Sequence, residues 1–155
     1  MCQLCNYPKM LDRSGLDPTP NRLRVMEVIG NNPSPTGAQD IFTTLNRTAD
    51  INRVTVYRIL DLLVEKGLVE RLNGGGRSLV YGLSPNENHP PHPHFHCRRC
   101  GAIQCLQPDS ISMDIHTMQR SFAGEISSVE IRINGICRNC LKTGREQPSG
   151  KKPDK

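Results

Sequence analysis

Four cysteines in two matching spacings constrain this chain more than any other feature. Cys97-Arg-Arg-Cys100 and Cys137-Arg-Asn-Cys140 are CxxC pairs with 36 residues between them. Each pair turns tightly enough to present two sulfurs to one point, and tetrahedral zinc takes four thiolates at about 2.3 Å. One shared zinc would staple both ends of a small domain and stabilise a core too weak to stand alone. The competing readings are a thioredoxin-like redox pair or free buried thiols. Neither pair sits at the strand-to-helix junction that a redox CxxC needs. Arg98, Arg99 and Arg138 would offset part of the thiolate charge, or are ordinary solvated surface.

The need for a staple follows from composition. A chain of 155 residues makes one domain or two small ones, and it is 35% hydrophobic and 4% aromatic with no Trp. Each half builds only a modest core, so metal or dimerisation is the expected supplement. Seven cysteines, an odd number, fit thiols or metal ligands better than a disulfide framework. No apolar run approaches the roughly 18–20 residues of a membrane span and no signal-peptide core opens the chain. A cytoplasmic protein without a membrane partner is expected. Twenty Lys and Arg against fifteen Asp and Glu give a charge of +5, which suits an acidic partner such as nucleic acid but also arises for solubility alone.

Residues 1–17 show no sustained periodicity. Thr19-Pro20 reads as the N-cap and first position of a helix with Val25, Met26 and Ile29 on its apolar stripe, stopped by Gly30-Asn31-Asn32-Pro33. Thr36-Gly-Ala-Gln39 reads as a capping box opening a second helix on Ala38, Ile41, Phe42 and Leu45. A third, Arg53 to Lys66, carries Val56, Ile59, Leu60 and Leu63 and ends at Gly67. Leu68 to Asn73 and Ser78 to Leu83 flank Gly74-Gly75-Gly76-Arg77 as a hairpin. Three helices and a hairpin make a winged-helix arrangement. Four prolines between Ser84 and Pro93 mark a hinge. Beyond it, Ala102 to Leu106 predicts a strand, Ser110 to Gln119 a helix on Ile111, Ile115 and Met118, and Val129, Ile131 and Ile133 an alternating strand. The expected class is α+β: a winged-helix domain over 1–84, a hinge over 85–93, a small α/β domain with a four-cysteine zinc site over 94–141, and a disordered tail over 142–155.

In Asn52-Arg-Val-Thr-Val-Tyr-Arg58 the apolar stripe faces the core and leaves Arg53, Thr55, Tyr57 and Arg58 outside at the helix N-terminal half, the part that a recognition helix presents to bases. Arg pairs with guanine edges or phosphates; Thr and Tyr bond phosphates or touch thymine methyls. An ordinary surface helix is the alternative. Thr19-Pro-Asn-Arg22, Thr55-Val-Tyr-Arg58 followed by Leu62 to Val69, a His-rich hinge leading into CxxCG, and the terminal CxxC together resemble the ferric uptake regulator family over about Leu16 to Leu141. That resemblance implies a homodimeric, metal-responsive repressor that binds double-stranded DNA, with 1–84 as the DNA-binding domain, 94–141 as the dimerisation domain, no enzymatic activity and no small-molecule substrate. It also implies that Tyr57 and Arg58 contact DNA, with Arg22 and Arg77 in support.

His92, His94 and His96 alternate on a segment that Pro91 and Pro93 keep extended, so all three imidazoles are expected on one face, with Cys97 on the other and two or three imidazoles available to one ion. Cys105 can approach them from the neighbouring strand. The alternatives are a solvated polar hinge and a small core hydrophobe. By the resemblance, His92 and His94 match the family's regulatory His-x-His, and Cys105 stands where many members carry a sensing Glu. A thiolate beside imidazoles favours Zn2+ over Fe2+ or Mn2+, which prefer more oxygen ligands. Two further family ligands are replaced by Ser34-Pro35 and Gly82, and a third family site finds only Ser112 and Val129. Glu70 and His89 are the candidates to complete the regulatory site. Cys2-Gln-Leu-Cys5 is a redox pair, an extra metal clip or a chance occurrence, and His116 reads as surface. The function expected is therefore a zinc-responsive repressor acting on a palindromic operator. The alternatives are a ferrous-iron or peroxide-responsive repressor of the same family and a structural zinc-ribbon module. HxE and HExxH motifs are absent, which weighs against a zinc hydrolase or deaminase.

Overall fold

The computed structural model describes residues 5–74, 78–127 and 129–144. It begins with a helix that periodicity does not reveal, α1 (Tyr7–Arg13). Asn6 caps it by accepting a hydrogen bond from the Lys9 N–H at 3.0 Å. Its two buried side chains, Tyr7 and Leu11, are spaced i, i+4 on a single turn, too short a run to register as a stripe. Helix α2 (Pro20–Asn31) starts where expected, although the Thr19 hydroxyl makes no capping bond.

The capping box at Thr36 does not form. Thr36 and Gly37 instead make strand β1 (Thr36–Gly37), paired with residues 80 and 81, and α3 (Ala38–Leu45) begins after Gly37 as N-cap. The Thr36 hydroxyl donates to the Ser34 carbonyl, so it is not available to the helix. Helix α4 (Arg53–Glu65) is capped by Asn52 and closed by Gly67 at φ +69°, with N–H bonds from Gly67 to Val64 and from Leu68 to Leu63. Strands β2 (Val69–Asn73) and β3 (Leu79–Leu83) form the wing in the order β1-β3-β2. Leu11, Val25, Met26, Ile41, Val56, Leu60 and Leu63 are buried at the centre of one shared core.

A second sheet has the order β5-β4-β6. Its middle strand β4 (His94–Cys97) runs antiparallel to β5 (Ile103–Cys105) and parallel to β6 (Arg132–Gly135). The expected helix over 110–119 begins later, as α5 (Ile115–Ser121), because Asp114 caps it through the Thr117 N–H and hydroxyl while residues 108–110 form a 3-10 turn. The strand expected from Val129 begins only at Arg132. Helix α6 (Arg138–Thr143) ends at Gly144 in the left-handed region, entering the stretch expected as tail from 142. Residues 145–155 of that stretch lie outside the described ones.

The core of this second unit consists of Cys97, Cys137 and Cys140, with Phe95 against them. Three thiols stand where a domain of this size would place aliphatic side chains. Ile115, Met118 and Phe122 on and after α5 remain exposed instead of covering the sheet. Among the described residues no helix is long and apolar enough to cross a membrane.

Candidate metal centres and nucleic-acid interface

Strand β4 ends at Cys97, and α6 begins just after Cys137, so the two CxxC turns meet at one end of the sheet. Contrary to expectation the second pair does lie between a strand and a helix, and the Cys97 and Cys100 sulfurs gathered beside it are what set it apart from a redox pair. The Sγ atoms of Cys97, Cys100, Cys137 and Cys140 all lie within 4.8 Å of one another, those of Cys100 and Cys137 at 3.7 Å. Parallel pairing of β4 with β6 holds residue 97 opposite 135 and brings the Cys137 N–H onto Cys97 Sγ at 3.2 Å. Arg99 donates to the Cys140 carbonyl at 3.1 Å. Burial would raise the Cys97 thiol, but backbone N–H groups of Cys100, Cys137 and Arg99 outweigh it and bring the thiol down to about 6. Cys140 is pushed up to about 12, first by burial and then by the three neighbouring sulfurs. Four sulfurs this close cannot all ionise unless a cation balances them, and a tetrahedral dication with thiolate preference fits the set.

At the opposite end of β4, His92, His94 and Cys105 offer donor atoms within 4.8 Å of one another. His94 sits directly across from Cys105 in the β4–β5 register, which is how the neighbouring strand delivers the thiol. The Pro90 carbonyl, 3.1 Å from His92 Nδ1, accepts the ring's proton and leaves Nε2 with a free lone pair. That Nε2 is buried and has no hydrogen-bond partner. The rings of His89 and His94 meet the His92 ring edge-on at 4.9 and 4.7 Å. Burial, aided by His92, His96 and His89, lowers His94 to about 4, so it is neutral and able to ligate near pH 7. Burial raises Cys105 above its ordinary value, the direction that metal binding would reverse.

A cleft of about 290 Å³ opens beside this trio, and Glu70 on β2 lines it together with Ser34, Pro35, Gly82 and His89. Burial raises the Glu70 carboxyl while His92 lowers it, which puts the acid within electrostatic reach of the trio. Neither Glu70 nor His89 joins the donors that lie within 4.8 Å. His96 does not join either, so two of the three alternating imidazoles are gathered, the lower of the two numbers expected at one ion. It pairs with Ile103 and Asn134, two residues farther along β4, and that step carries it about 6.8 Å from His94. Its ring is only 5% exposed and neither nitrogen has a partner. His116 is exposed on α5 as expected. Cys2 lies outside the described residues, whereas Cys5 Sγ is 3.8 Å from Asn86 Oδ1 at the hinge.

The first half of α4 presents Arg53, Tyr57 and Arg58 outward. Thr55 is half-buried, and both its N–H and its hydroxyl bond Asn52 Oδ1 at 2.8 and 2.9 Å. Thr55 therefore gives both donors to the Asn52 cap of α4, a commitment that its residue type did not disclose. Arg53 lies 5.5 Å over the Phe42 ring, and Arg22 is tied to the Asp17 carbonyl at 2.8 Å. Arg77 is outside the described residues. Sequence reasoning also missed the Pro90 carbonyl, a backbone acceptor that no residue pattern could signal.

Residues 13–134 match the model of the ferric uptake regulator family. The chain is 28% identical over 134 residues to the ferric uptake regulation protein of Bacillus subtilis, covering 85% of this chain and 90% of that one. It is similar to the crystal structure of the Vibrio cholerae ferric uptake regulator, with a TM-score of 0.66 and 25% identity over 85% of this chain and all of the other. It is also similar to a zinc uptake regulator complexed with zinc and DNA, with a TM-score of 0.57 and 25% identity over 88% and 91% of the two chains. With its winged helix, its hinge donors and its four-cysteine cluster, this chain belongs to the ferric uptake regulator family.

Proposed function

We propose that this family member, a metal-responsive DNA-binding regulator, is a zinc-responsive repressor acting as a homodimer on a palindromic duplex operator. The observation that carries the zinc reading is the donor set His92, His94 and Cys105 gathered within 4.8 Å. Two imidazoles and a thiolate suit Zn2+ better than Fe2+ or Mn2+, whose sites are richer in oxygen. Bound there, zinc would supply Lewis acidity that holds the Cys105 thiol deprotonated and draws donors from both sides of the cleft.

The chain's own residues do the rest. His92 is held by Pro90 in the tautomer that offers Nε2. Glu70 belongs to the same β2–β3 wing that packs against α4, so its movement toward the trio carries the recognition helix with it. His89, the second candidate, belongs to the hinge itself. We assign 1–84 to DNA binding, 85–93 to the hinge and 94–141 to dimerisation, with Cys97, Cys100, Cys137 and Cys140 as a structural zinc site. Arg53, Tyr57 and Arg58 face the duplex, with Arg22 and Arg77 in support. The uncovered Ile115, Met118 and Phe122 support a second copy over that face. Closure works as a population shift: it favours the DNA-ready dimer only as far as zinc binds that state more tightly than the open one.

Native mass spectrometry across a series of zinc buffers, paired with anisotropy on labelled duplex, tests the reading. A dimer should hold one zinc per chain at the lowest free zinc and take a second over a narrow higher range, with DNA affinity rising in step. A single zinc per chain at every setting, or DNA affinity independent of buffered zinc, overturns the zinc-responsive assignment.

A further inference from the structure

Residues Val54, Tyr57, Arg58 and Asp61 follow one another at i, i+3, i+4 and i+7, so they form one face of α4, turned away from the buried Val56, Ile59, Leu60 and Leu63. Val54 is 60% exposed in the first helical turn, more so than any other large hydrophobic residue described in the winged-helix half. It therefore contributes little to the core. Its surroundings are cationic: Arg53 precedes it, braced over Phe42, and Arg58 lies one turn on. The carboxylate of this face, Asp61, is neutralised by Arg71 at 2.7 Å. Thr55, the other residue of that turn with a methyl group to offer, is half-buried and has its hydroxyl committed to Asn52.

We propose that Val54 is a specificity-determining residue that packs its isopropyl group against a thymine 5-methyl in the major groove. The inference rests on the DNA-binding reading and adds to it which side chain reads a base without a hydrogen bond. A small apolar group that shares its helix face with Tyr57 and lies between Arg53 and Arg58 suits a polyanion that offers single methyl groups, and thymine is the base that carries one. A protein partner would require a contiguous apolar patch instead. The N-terminal residues of a recognition helix are those that reach base edges, and Val54 occupies the second position of α4. Its β-branch locks χ1 in a helix, so the methyls are aimed before binding and little side-chain freedom is lost on contact.

The test starts with the zinc-loaded full chain selecting sites from a randomised duplex pool. Each thymine of the selected site is then replaced singly by deoxyuridine, which removes only the methyl, and Kd is measured for wild type and Val54→Ser. For wild type, one thymine per half-site should stand out with a loss of about fourfold, the worth of one buried methyl-sized group. In Val54→Ser that position should become indifferent to the methyl, while the Tyr57 and Arg58 contacts leave the remaining profile unchanged. Because Val54 is exposed, the variant should keep the wild-type circular dichroism and melting temperature. An identical deoxyuridine profile for both proteins on the same selected site overturns the assignment of Val54 alone. Failure of wild type to enrich any sequence overturns it together with the DNA-binding reading.

Discussion

Replacing Gly30 with alanine sets two effects of opposite sign against each other. Gly30 is buried in the last turn of α2, where alanine is worth about 1 kcal/mol in helix propensity. A Cβ at this position would overlap the Tyr7 hydroxyl outright, and would sit 2.8 Å from Tyr7 Cζ and 3.1 Å from Leu83 Cδ1. Leu83 is buried in the wing and Tyr7 is one of only two buried anchors of α1, so relief comes from lifting the ring and, with it, the helix. Overpacking costs roughly 1–3 kcal/mol and exposing much of an aromatic ring adds about 1.5–3 kcal/mol at most. Gly30→Ala should therefore destabilise by about 1.5–5 kcal/mol net, and Tm should fall by roughly 2–4 °C for each kcal/mol. A double-mutant cycle isolates the cause. In a Tyr7→Ala background the obstruction is gone, and Gly30→Ala should become neutral or stabilising by about 1 kcal/mol. Urea unfolding of all four proteins at one buffered zinc concentration measures this, since bound metal shifts apparent stability. Equal destabilisation in both backgrounds would refute the packing argument.

Three further outcomes are expected. On the proposed zinc reading, Cys105→Ser should keep the one metal ion per chain assigned to the four cysteines but lose the second, and with it zinc-dependent DNA binding; metal counting and anisotropy on one preparation check both. Asn52→Ala removes the acceptor for the Thr55 N–H and hydroxyl and should cost about 1 kcal/mol in thermal or urea unfolding, with weaker DNA binding from a frayed first turn of α4. His94 is held near 4 by burial, below its value in the unfolded chain, so the unfolded state binds more protons between about pH 6.5 and 4. Stability of the metal-free protein should therefore be complete above pH 6.5 and decline as pH falls through that window, with His94→Asn flattening the decline in a pH series of unfolding curves.

The winged helix was legible because its helices carry long apolar stripes over a common core; Val56, Ile59, Leu60 and Leu63 on α4 are all buried as their spacing implies. The four cysteines were legible for a different reason, since a CxxC turn is local chemistry that survives any arrangement of the rest. Helix α1 escaped because a single turn with two buried residues gives no period, and its stability comes from Tyr7 against Gly30, a contact 23 residues away in sequence. The Thr36 capping box failed because a strand partner at Tyr81 competed for the same backbone, and tertiary pairing won over a local bond. At the hinge, alternation correctly put His92 and His94 beside Cys105, but it could not tell that His96 would lie beyond reach, because that depends on where β5 ends. Thr55 and Val54 exchanged their expected prominence because the N-cap used the hydroxyl of one and left the other projecting.

The parallel pairing of β4 with β6 has a kinetic consequence. These strands are joined through almost the whole of the second unit, so their hydrogen bonds form only after a loop of more than thirty residues has closed, and little beyond Phe95 in the Cys97–Cys137–Cys140 core rewards the closure in advance. Assembly of this sheet should thus be timed by metal delivery and not by collapse. A chain synthesised while that metal is scarce would leave the β6-facing edge of β4 unpaired for as long as the ion is lacking, a state open to mispairing with other chains. On the proposed zinc reading, scarcity would then be registered twice, quickly through release of the ion from the hinge and slowly through the shrinking fraction of new chains that mature at all.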